Sequence, residues 1–369
     1  MTKSKTFEEK KRSSFVLLVI PLLTLAILSS PSLARDNVVL LSEGDWDQGR
    51  REGLEITSQG ELVLKQDETG YRESGSFISS PLDPGIAFTN LVPFWNASTP
   101  PGTRVKIKAK IKRAGTWSEW LALATWGNDE SYTYSKDSRH VNVAIDTLKV
   151  RQGRGSEFKL RIDLHTENRE NTPEVRLLGS TFWSSPSETR KDENSETSEY
   201  LRSLKVPKES QFEEESSIAE LICSPTALSM VLQYFGRDVS PSEAAANVYD
   251  RGAKIYGNWS FNVAYAASRG LKSYVRYFTS TTGLKEEIAE GHPVVVSVAY
   301  QKGELQGAPI DSTAGHLLVV RGFAKRDGRE YVIVNDPAAK SKAEVRRTYQ
   351  LDQFVSAWQG IGYVFRPPS

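Results

Sequence analysis

A stretch without any aliphatic or aromatic residue divides the chain and points to two separate folding units. Residues 184–199 read SSPSETRKDENSETSE and contain five acidic and two basic residues. Such a segment cannot bury enough apolar surface to offset the entropy lost on folding, so it is typical of a solvated linker. We predict an acidic polar linker over residues 184–203, which joins a domain over residues 35–183 to a second domain over residues 204–369.

The beginning of the chain has the pattern of an export signal. Five basic residues precede an apolar run over residues 15–28, and Ser32-Leu33-Ala34 supplies the small residues that a signal peptidase accepts. The run is shorter than the roughly 20 residues that a membrane-spanning helix needs, and no later segment is apolar enough to cross a membrane. We predict a signal peptide over residues 1–34, no membrane span in the mature chain, and a secreted or cell-envelope protein. An uncleaved N-terminal anchor is the alternative.

The cysteine count and the net charge exclude several classes of protein. The 369 residues include one Cys, 47 Lys and Arg, and 46 Asp and Glu, with a net charge of +1. A single Cys excludes an intramolecular disulfide framework, a CxxC redox pair and any multi-cysteine metal site. A net charge this close to zero gives no electrostatic basis for binding nucleic acid. We expect no metal, no organic cofactor and no nucleic-acid partner.

The first domain has the pattern of an all-β fold. Residues 105–112 alternate aliphatic or alanine residues with lysines, which places four lysines on one face of a strand. Residues 141–145 and 158–165 alternate in a similar way, and turn-forming residues separate such runs. We predict a β-sandwich or jelly roll. We interpret the lysines as a solvated face or as protection of a sheet edge rather than as an anion site.

Tryptophan is concentrated in this first domain, which contains six of the eight Trp residues. Trp117 and Trp120 are close enough in sequence to form a platform that stacks on the apolar faces of sugars. A place in the core between two sheets is the alternative for these rings. A glycan or cell-surface contact is therefore a candidate interaction of this domain.

The second domain has helices first and strands afterwards. An apolar stripe predicts a helix over residues 224–235 that Gly236 ends, and Ser240 to Glu243 form a capping box that begins the next helix. Two shorter helices, three strands and a last helix follow at residues 260–269, 282–290, 293–300, 316–323, 331–334 and 351–358. This order predicts an α+β fold.

The one thiol lies where a helix begins. Cys223 comes directly before Ser224 and Pro225, at the start of the first helix of this domain. The free N–H groups and the positive end of the helix dipole stabilise a thiolate there and lower the thiol pKa. A small buried apolar residue is the alternative role for a lone Cys.

A thiol nucleophile needs a base, and this domain offers His292 and His316. His292 lies in a helix-to-strand turn, where we expect a surface residue. His316 opens a strand, and a hairpin centred near residue 327 would place it one diagonal step from Asp336, within hydrogen-bond reach. A slip of one residue would turn Asp336 to the other face of the sheet.

An attacked carbonyl also needs donors for its developing negative charge. The backbone N–H of Cys223 is one candidate. Gln211 is the only Gln between the linker and Cys223, so its side-chain amide is a second candidate, although an ordinary surface Gln is the alternative.

An ordered set of short motifs extends over residues 204–366. The set comprises Val206-Pro207, Ser210-Gln211, Cys223-Ser224-Pro225-Thr226, Gly307-Ala308-Pro309, Gly315-His316, Asn335-Asp336-Pro337 and Phe354 with Trp358. It resembles the bacterial double-glycine-peptidase-like (bacteriocin-processing-like) cysteine peptidases of the papain-like superfamily, many of which have Gly where this chain has Ser224. The resemblance implies a papain-like fold with Cys223 as nucleophile, His316 as base, Asp336 as orienting residue and Gln211 as oxyanion donor.

These observations favour an exported cysteine hydrolase, namely a peptidase, that cleaves peptide or amide bonds through a Cys-His-Asp triad and a thioester intermediate. One alternative is a glycan- or surface-binding protein whose papain-like domain is catalytically silent. A second alternative is a cell-wall amidase or acyl transferase, which uses the same thiol with another substrate or acceptor.

Overall fold

The computed structural model describes residues 1–2, 37–127, 130–184 and 202–367. Nearly all of the predicted signal peptide (residues 1–34) and of the predicted linker (residues 184–203) lies outside the described residues, so both stay predictions. The described residues from 37 onward belong to one compact unit. Within the described ranges, no helix has both the length and the hydrophobicity needed to cross a membrane.

The first part of the described chain is built from strands. They are β1 (Val38–Leu41), β2 (Arg50–Glu52), β3 (Leu54–Ile56), β4 (Leu62–Leu64), β5 (Gln66–Asp67), β6 (Gly70–Tyr71), β7 (Ser74–Ile78), β8 (Asn90–Ser98), β9 (Thr103–Arg113), β10 (Thr116–Trp117), β11 (Leu121–Gly127), β12 (Tyr132–Thr133), β13 (Lys136–Asp137), β14 (Val141–Ala144), β15 (Thr147–Val150), β16 (Glu157–Thr166) and β17 (Glu174–Trp183). A 3₁₀ turn spans Glu43–Gln48.

These strands form two facing sheets. The first sheet has the order β13-β14-β15-β8-β17-β4-β3, with β1 also paired to β17, and the second has the order β12-β11-β9-β16-β7-β2, with β10 paired to β9. Alternate residues of β9 are buried, as the period of two predicts. Phe158 of the second sheet and Phe182 of the first lie with their ring centroids 6.0 Å apart in the shared core. The predicted all-β sandwich is confirmed.

The second part combines helices with one antiparallel sheet. The elements are α1 (Cys223–Tyr234), α2 (Pro241–Val248), α3 (Trp259–Ser268), β18 (Lys272–Tyr277), α4 (Thr281–Glu290), β19 (Val294–Tyr300), β20 (Thr313–Arg326), β21 (Arg329–Asn335), β22 (Arg346–Gln350), α5 (Leu351–Ala357) and β23 (Trp358–Arg366). The sheet order is β18-β23-β19-β20-β21-β22, and α1 packs against β20. The predicted α+β fold is confirmed.

Two details of the second part differ from the sequence prediction. The last helix ends at Ala357, and Trp358 begins β23, where it pairs with Val298 of β19. Pairing with a buried strand therefore outweighs the helical apolar spacing that predicted Trp358 inside the helix. The strands β18, β22 and β23 complete a sheet of which the sequence indicated only three strands.

The two parts share a buried interface. Helix α3 and strand β18 pack on the outer face of the first sheet, mainly on β8. Phe261 of α3 lies against Trp95 and Trp126, with ring centroids 6.1 and 5.2 Å away. Residues 90–97 of β8 are all buried, because one face of this strand contacts the sandwich core and the other contacts the α+β domain. The α+β domain therefore covers the outer face of the first sheet and also contacts the second sheet at Trp126 of β11.

Candidate active site

A tight hairpin brings His316 and Asp336 together. Its two turn residues, Asp327 and Gly328, have positive φ values of 50° and 77°, which a two-residue type I′ turn requires. Beyond a bulge, the register pairs Val319 of β20 with Asn335 of β21. Asp336, which follows Asn335, therefore lies diagonally across from His316. His316 Nε2 lies 2.7 Å from Asp336 Oδ1.

The Asp336 carboxylate is fully buried and has three donors around its two oxygens. Oδ1 accepts a bond from the Ala338 N–H at 3.1 Å as well as from His316, and Oδ2 accepts a bond from the Tyr349 hydroxyl at 3.0 Å. Burial would raise the pKa of Asp336, but the charge and hydrogen bond of His316, with help from Ala338 and Tyr349, outweigh it and lower the pKa. The carboxylate therefore stays ionised at neutral pH, which fixes one nitrogen of the imidazole as a donor.

The imidazole of His316 is held in its charged form. Burial opposes the charge, but the charge and hydrogen bond of Asp336 and the interaction with the Cys223 sulfur outweigh burial and raise the pKa of His316 to about 10. Because Nε2 faces Asp336, the other ring nitrogen is the one that serves the thiol. The raised pKa favours the protonated ring at neutral pH.

The sulfur of Cys223 is stabilised as a thiolate. Burial would raise the thiol pKa, but the hydrogen bond and charge of His316, together with the N–H groups of Leu317 and Ser224, outweigh it and lower the pKa. Ile222, the residue before α1, provides no side-chain cap. The first-turn N–H groups of α1 therefore stay available to an anion at Cys223. As a residue, Cys223 is only partly buried.

Ser224, the residue after Cys223, is held in place by a buried hydroxyl of the sheet beneath it. The hydroxyl of Ser224 lies 3.0 Å from that of Tyr363 on β23, and both residues are fully buried. Burial raises the pKa of Tyr363 well above its usual value, so the phenol stays neutral. This bond fixes the first turn of α1 to the sheet of the α+β domain. A glycine at position 224 has no hydroxyl and could not make it.

Gln211 lies in a segment that crosses the end of the same sheet. The Leu204 N–H donates to the Arg321 carbonyl at 2.8 Å, and the Gln211 N–H donates to the Pro337 carbonyl at 2.9 Å, next to Asp336 in sequence. The side-chain amide of Gln211 is buried and donates through Nε2 to the Ala219 carbonyl at 2.8 Å. A primary amide has two N–H bonds, so one remains for another acceptor. Gln211 is therefore buried, and the alternative of an ordinary surface Gln is wrong.

One cluster of carboxylates and a histidine has the composition of a metal site. Ligand atoms of Glu287, Glu290 and His292 lie within 4.8 Å of one another. Two guanidinium groups already contact the buried Glu287, that of Arg366 at 2.9 Å and that of Arg276 at 3.4 Å. A cation added there would meet these like charges, so the cluster is an ion-pair network. His292 is partly buried in this network at the turn between α4 and β19, and its Nδ1 lies 3.3 Å from Glu287 Oε2.

The predicted residues Cys223, His316 and Asp336 meet at one place, and Gln211 lies in the segment tied to Pro337 beside it. The sequence did not predict two hydrogen bonds that support the site, that of Tyr349 to Asp336 and that between Ser224 and Tyr363. Tyr349 lies on β22, a short strand without a diagnostic periodicity, so its contact with Asp336 becomes visible only once strand pairing is known.

Comparisons with protein families assign both parts of the chain. Residues 203–365 match the model of the peptidase C39 like family, and residues 37–182 match the model of the peptidase C39 N-terminal domain. The resemblance noted over residues 204–366 is thereby confirmed, together with the presence of an N-terminal domain. A comparison with curated proteins finds no match.

Similar solved structures each cover less than half of this chain. A Bacillus anthracis protein described as a C39-like peptidase is 17% identical, with a TM-score of 0.34, over 45% of this chain and 96% of its own. The peptidase domain of Streptococcus ComA, a bi-functional ABC transporter, is 17% identical, with a TM-score of 0.31, over 40% of this chain and 93% of its own. The C-terminal CBM6 of LamC, a laminarinase from Zobellia galactanivorans, is 14% identical, with a TM-score of 0.21, over 39% of this chain and 99% of its own. TM-scores this low carry no functional argument, and the assignment rests on the family models.

Proposed function

Since residues 203–365 belong to the peptidase C39 like family, and the chain is thus a cysteine peptidase-like protein, we propose that it is an active peptidase. The nucleophile is Cys223, the acid–base residue is His316, and Asp336 orients the imidazole. One observation supports this proposal above the others. The imidazole that serves the thiol is bound to a buried carboxylate at 2.7 Å, which favours a thiolate–imidazolium pair at neutral pH.

The reaction follows from the positions of these groups. The thiolate attacks the carbonyl carbon of the substrate, and the carbonyl oxygen takes the negative charge. The first-turn N–H groups of α1 and the second N–H of the Gln211 amide are the donors proposed for this oxyanion. His316 gives its proton to the leaving amine, which leaves a thioester on Cys223. The neutral imidazole then takes a proton from water, whose oxygen attacks the thioester and releases the acid.

The proposal includes export. Its support is the sequence pattern over residues 1–34, with five basic residues before an apolar run. An exported enzyme would meet peptides of the cell envelope, so a cell-wall amidase or acyl transferase remains the second candidate, with the same thiol and a different substrate or acceptor.

A survey of cleavage products tests the proposal. The full chain is incubated with a library of unmodified peptides and with purified cell-wall peptides, each with and without an added amine, and the products are identified by mass spectrometry. We expect hydrolysed peptide bonds for the native protein and none for Cys223→Ala, whose melting temperature should be unchanged. Ser217→Ala, at an exposed serine in the segment between Gln211 and Cys223, is the matched control and should retain activity. Cleavage that survives in Cys223→Ala contradicts the proposal, whereas products joined to an added amine assign the acyl transferase.

A further inference from the structure

The outer face of the second sheet has an unusual arrangement of charge. We define the lysine face as the partly exposed side of β9 and β16, with its bases Arg104, Lys106, Lys108, Lys110, Lys112, Lys159 and Arg161. The register places Lys110 directly opposite Lys159, and Lys108 directly opposite Arg161. Like charges directly opposite each other destabilise an antiparallel pair. Two such pairs side by side therefore have a cost in stability that needs an explanation.

The two pairs differ in how the structure compensates them. Asp163 neutralises the first pair, because its carboxylate lies 2.8 Å from Lys108 Nζ and 2.6 Å from Arg161 Nε. Among the described residues, Lys110 and Lys159 have no carboxylate partner. Their charges face each other next to aromatic rings instead, so this part of the face lacks a counter-charge.

Tryptophan rings surround the uncompensated pair. Lys110 Nζ lies 5.2 Å from the centre of the Trp117 ring and 5.0 Å from that of Trp120, and Lys159 Nζ lies 5.7 Å from that of Trp117. Both rings are partly exposed, whereas Trp46, Trp95 and Trp126 are buried in the core. A pair of ammonium groups between two accessible indoles offers an anionic group its counter-charge and offers a sugar ring a flat apolar surface.

The face also has the length of a polymer site. From Arg104 to Lys112 successive outward residues are about 7 Å apart, and the whole run measures about 27 Å. The carboxylates of Asp163, Glu157 and Glu167 lie among these bases and would repel the densely spaced phosphates of a nucleic acid. A chain with sparser charges and apolar faces between them fits better.

We propose that the lysine face binds an acidic polysaccharide, with an anionic group of the sugar between Lys110 and Lys159 and sugar rings against Trp117 and Trp120. Lys110 and Lys159 lie on β9 and β16, whereas the α+β domain contacts the first sheet and reaches the second sheet at Trp126 of β11 and Thr133 of β12. The proposal therefore does not depend on the peptidase chemistry. It gives the N-terminal domain a ligand of its own.

Titration of the full chain with polygalacturonate tests the proposal, with intrinsic tryptophan fluorescence as the readout. The double variant Lys110→Gln/Lys159→Gln should weaken binding about tenfold or more, and Trp117→Ala should weaken it to a similar degree. The matched control is Lys65→Gln/Lys149→Gln, which removes two exposed lysines outside the lysine face. It should leave the affinity for polygalacturonate unchanged. The double lysine variant should also keep its melting temperature, since it removes a repulsion.

Three further ligands distinguish specific binding at the lysine face from non-specific charge attraction. Neutral dextran should bind at least tenfold more weakly than polygalacturonate, and polyglutamate, which has the charge without the sugar, should bind more weakly as well. Equal binding of polyglutamate, tighter binding of a single-stranded oligonucleotide, absence of polygalacturonate binding, or an equal loss in the control variant would each overturn the proposal.

Discussion

Two buried aspartates of this protein have opposite pKa shifts. Asp336, at the candidate active site, has its pKa lowered although burial opposes the charge, because the imidazolium of His316 lies 2.7 Å away. Asp146, at the interface between the sandwich and the α+β domain, has its pKa raised to about 6. Burial dominates there, since its partners are the Trp259 N–H at 2.7 Å and the Thr147 hydroxyl at 3.0 Å, and the Asp250 carboxylate lies nearby.

The difference shows what a buried carboxylate needs to stay charged. Neutral donors stabilise Asp146 but do not offset its desolvation, whereas one cation offsets the desolvation of Asp336. The Asp250 carboxylate, which accepts bonds from the Thr133 N–H at 3.0 Å and the Thr133 hydroxyl at 2.6 Å, adds like charge to the interface. One region therefore keeps an ionised carboxylate beside a cation, and the other holds a carboxylate with a raised pKa between two domains.

The largest difference between the two aspartates should be in turnover. Asp336→Asn leaves the imidazole without its counter-charge and favours the wrong tautomer, so kcat/KM for a cleaved peptide should fall by a factor of about 10²–10⁴. Asp146→Asn should change kcat/KM by less than about threefold, because this side chain contacts α3 rather than the thiol or the imidazole. Equal losses in the two variants would remove the distinction between the two regions.

A second change tests whether the interface depends on its apolar core. Phe261→Ala removes a fully buried ring from between Trp95 and Trp126, and should lower the free energy of unfolding by about 3–5 kcal/mol. Calorimetry should show the transition of the whole compact unit move to lower temperature. Ile86→Ala, at a side chain 44% exposed on the sandwich, is the control and should cost less than about 0.5 kcal/mol. A Phe261→Ala protein as stable as this control would show that the two domains do not support each other.

The pH dependence of stability should have opposite signs at the two sites. The folded-state pKa of Asp146, about 6, lies above its ordinary value of 3.8, so the stability from its protonated form is present below pH 4 and lost as the pH rises through 6. Asp146→Asn removes this dependence, and its stability relative to the native protein should increase by about 3 kcal/mol between pH 4 and pH 8. Urea unfolding at both pH values measures the change.

Asp238→Asn, at an exposed aspartate, is the control for this comparison and should show little change. Asp336 should behave in the reverse way, because its pKa is lowered in the folded state and its contribution is lost as the pH falls. A difference between Asp146→Asn and native protein that is constant with pH would contradict the assigned shift.

The smallest expected effect concerns the hydroxyl that supports Asp336. Tyr349→Phe removes a donor to Oδ2, so the pKa of Asp336 should rise and the acid-side loss of activity should begin at a higher pH. At neutral pH we expect a loss in kcat/KM of about three- to tenfold. Tyr300→Phe is the matched control, because that buried hydroxyl donates to the Ile310 carbonyl at 3.4 Å. If both variants have the same pH profile, Tyr349 has only a structural role.

The sequence predicted those features that depend on local pattern. The strict alternation over residues 105–112 is strand β9, the apolar stripe after Cys223 is α1, and the Asp327-Gly328 turn joins β20 to β21. These features need only the periodicity of a strand or helix and the chemistry of a turn.

Features that depend on pairing between distant segments were not predicted. The contact of Tyr349 with Asp336 requires β22 to pair with β21, and the ion pair of Glu287 with Arg366 requires α4 to lie beside β23. The domain interface was missed for the same reason, since Asp146 and Trp259 are far apart in sequence and no local pattern relates them. The composition of the linker indicated separate units and gave no sign that they would share a core.

The most direct test of the account is the alkylation rate of Cys223 as a function of pH. The chain has one Cys, so iodoacetamide reports on this thiol alone. In the native protein we expect an apparent thiol pKa below the ordinary value of 9.0 and strong labelling at pH 6. In His316→Ala the thiolate loses its cation, so labelling at pH 6 should fall and the apparent pKa should return to 9 or above. Strong labelling at pH 6 that persists in His316→Ala would contradict the thiolate–imidazolium pair.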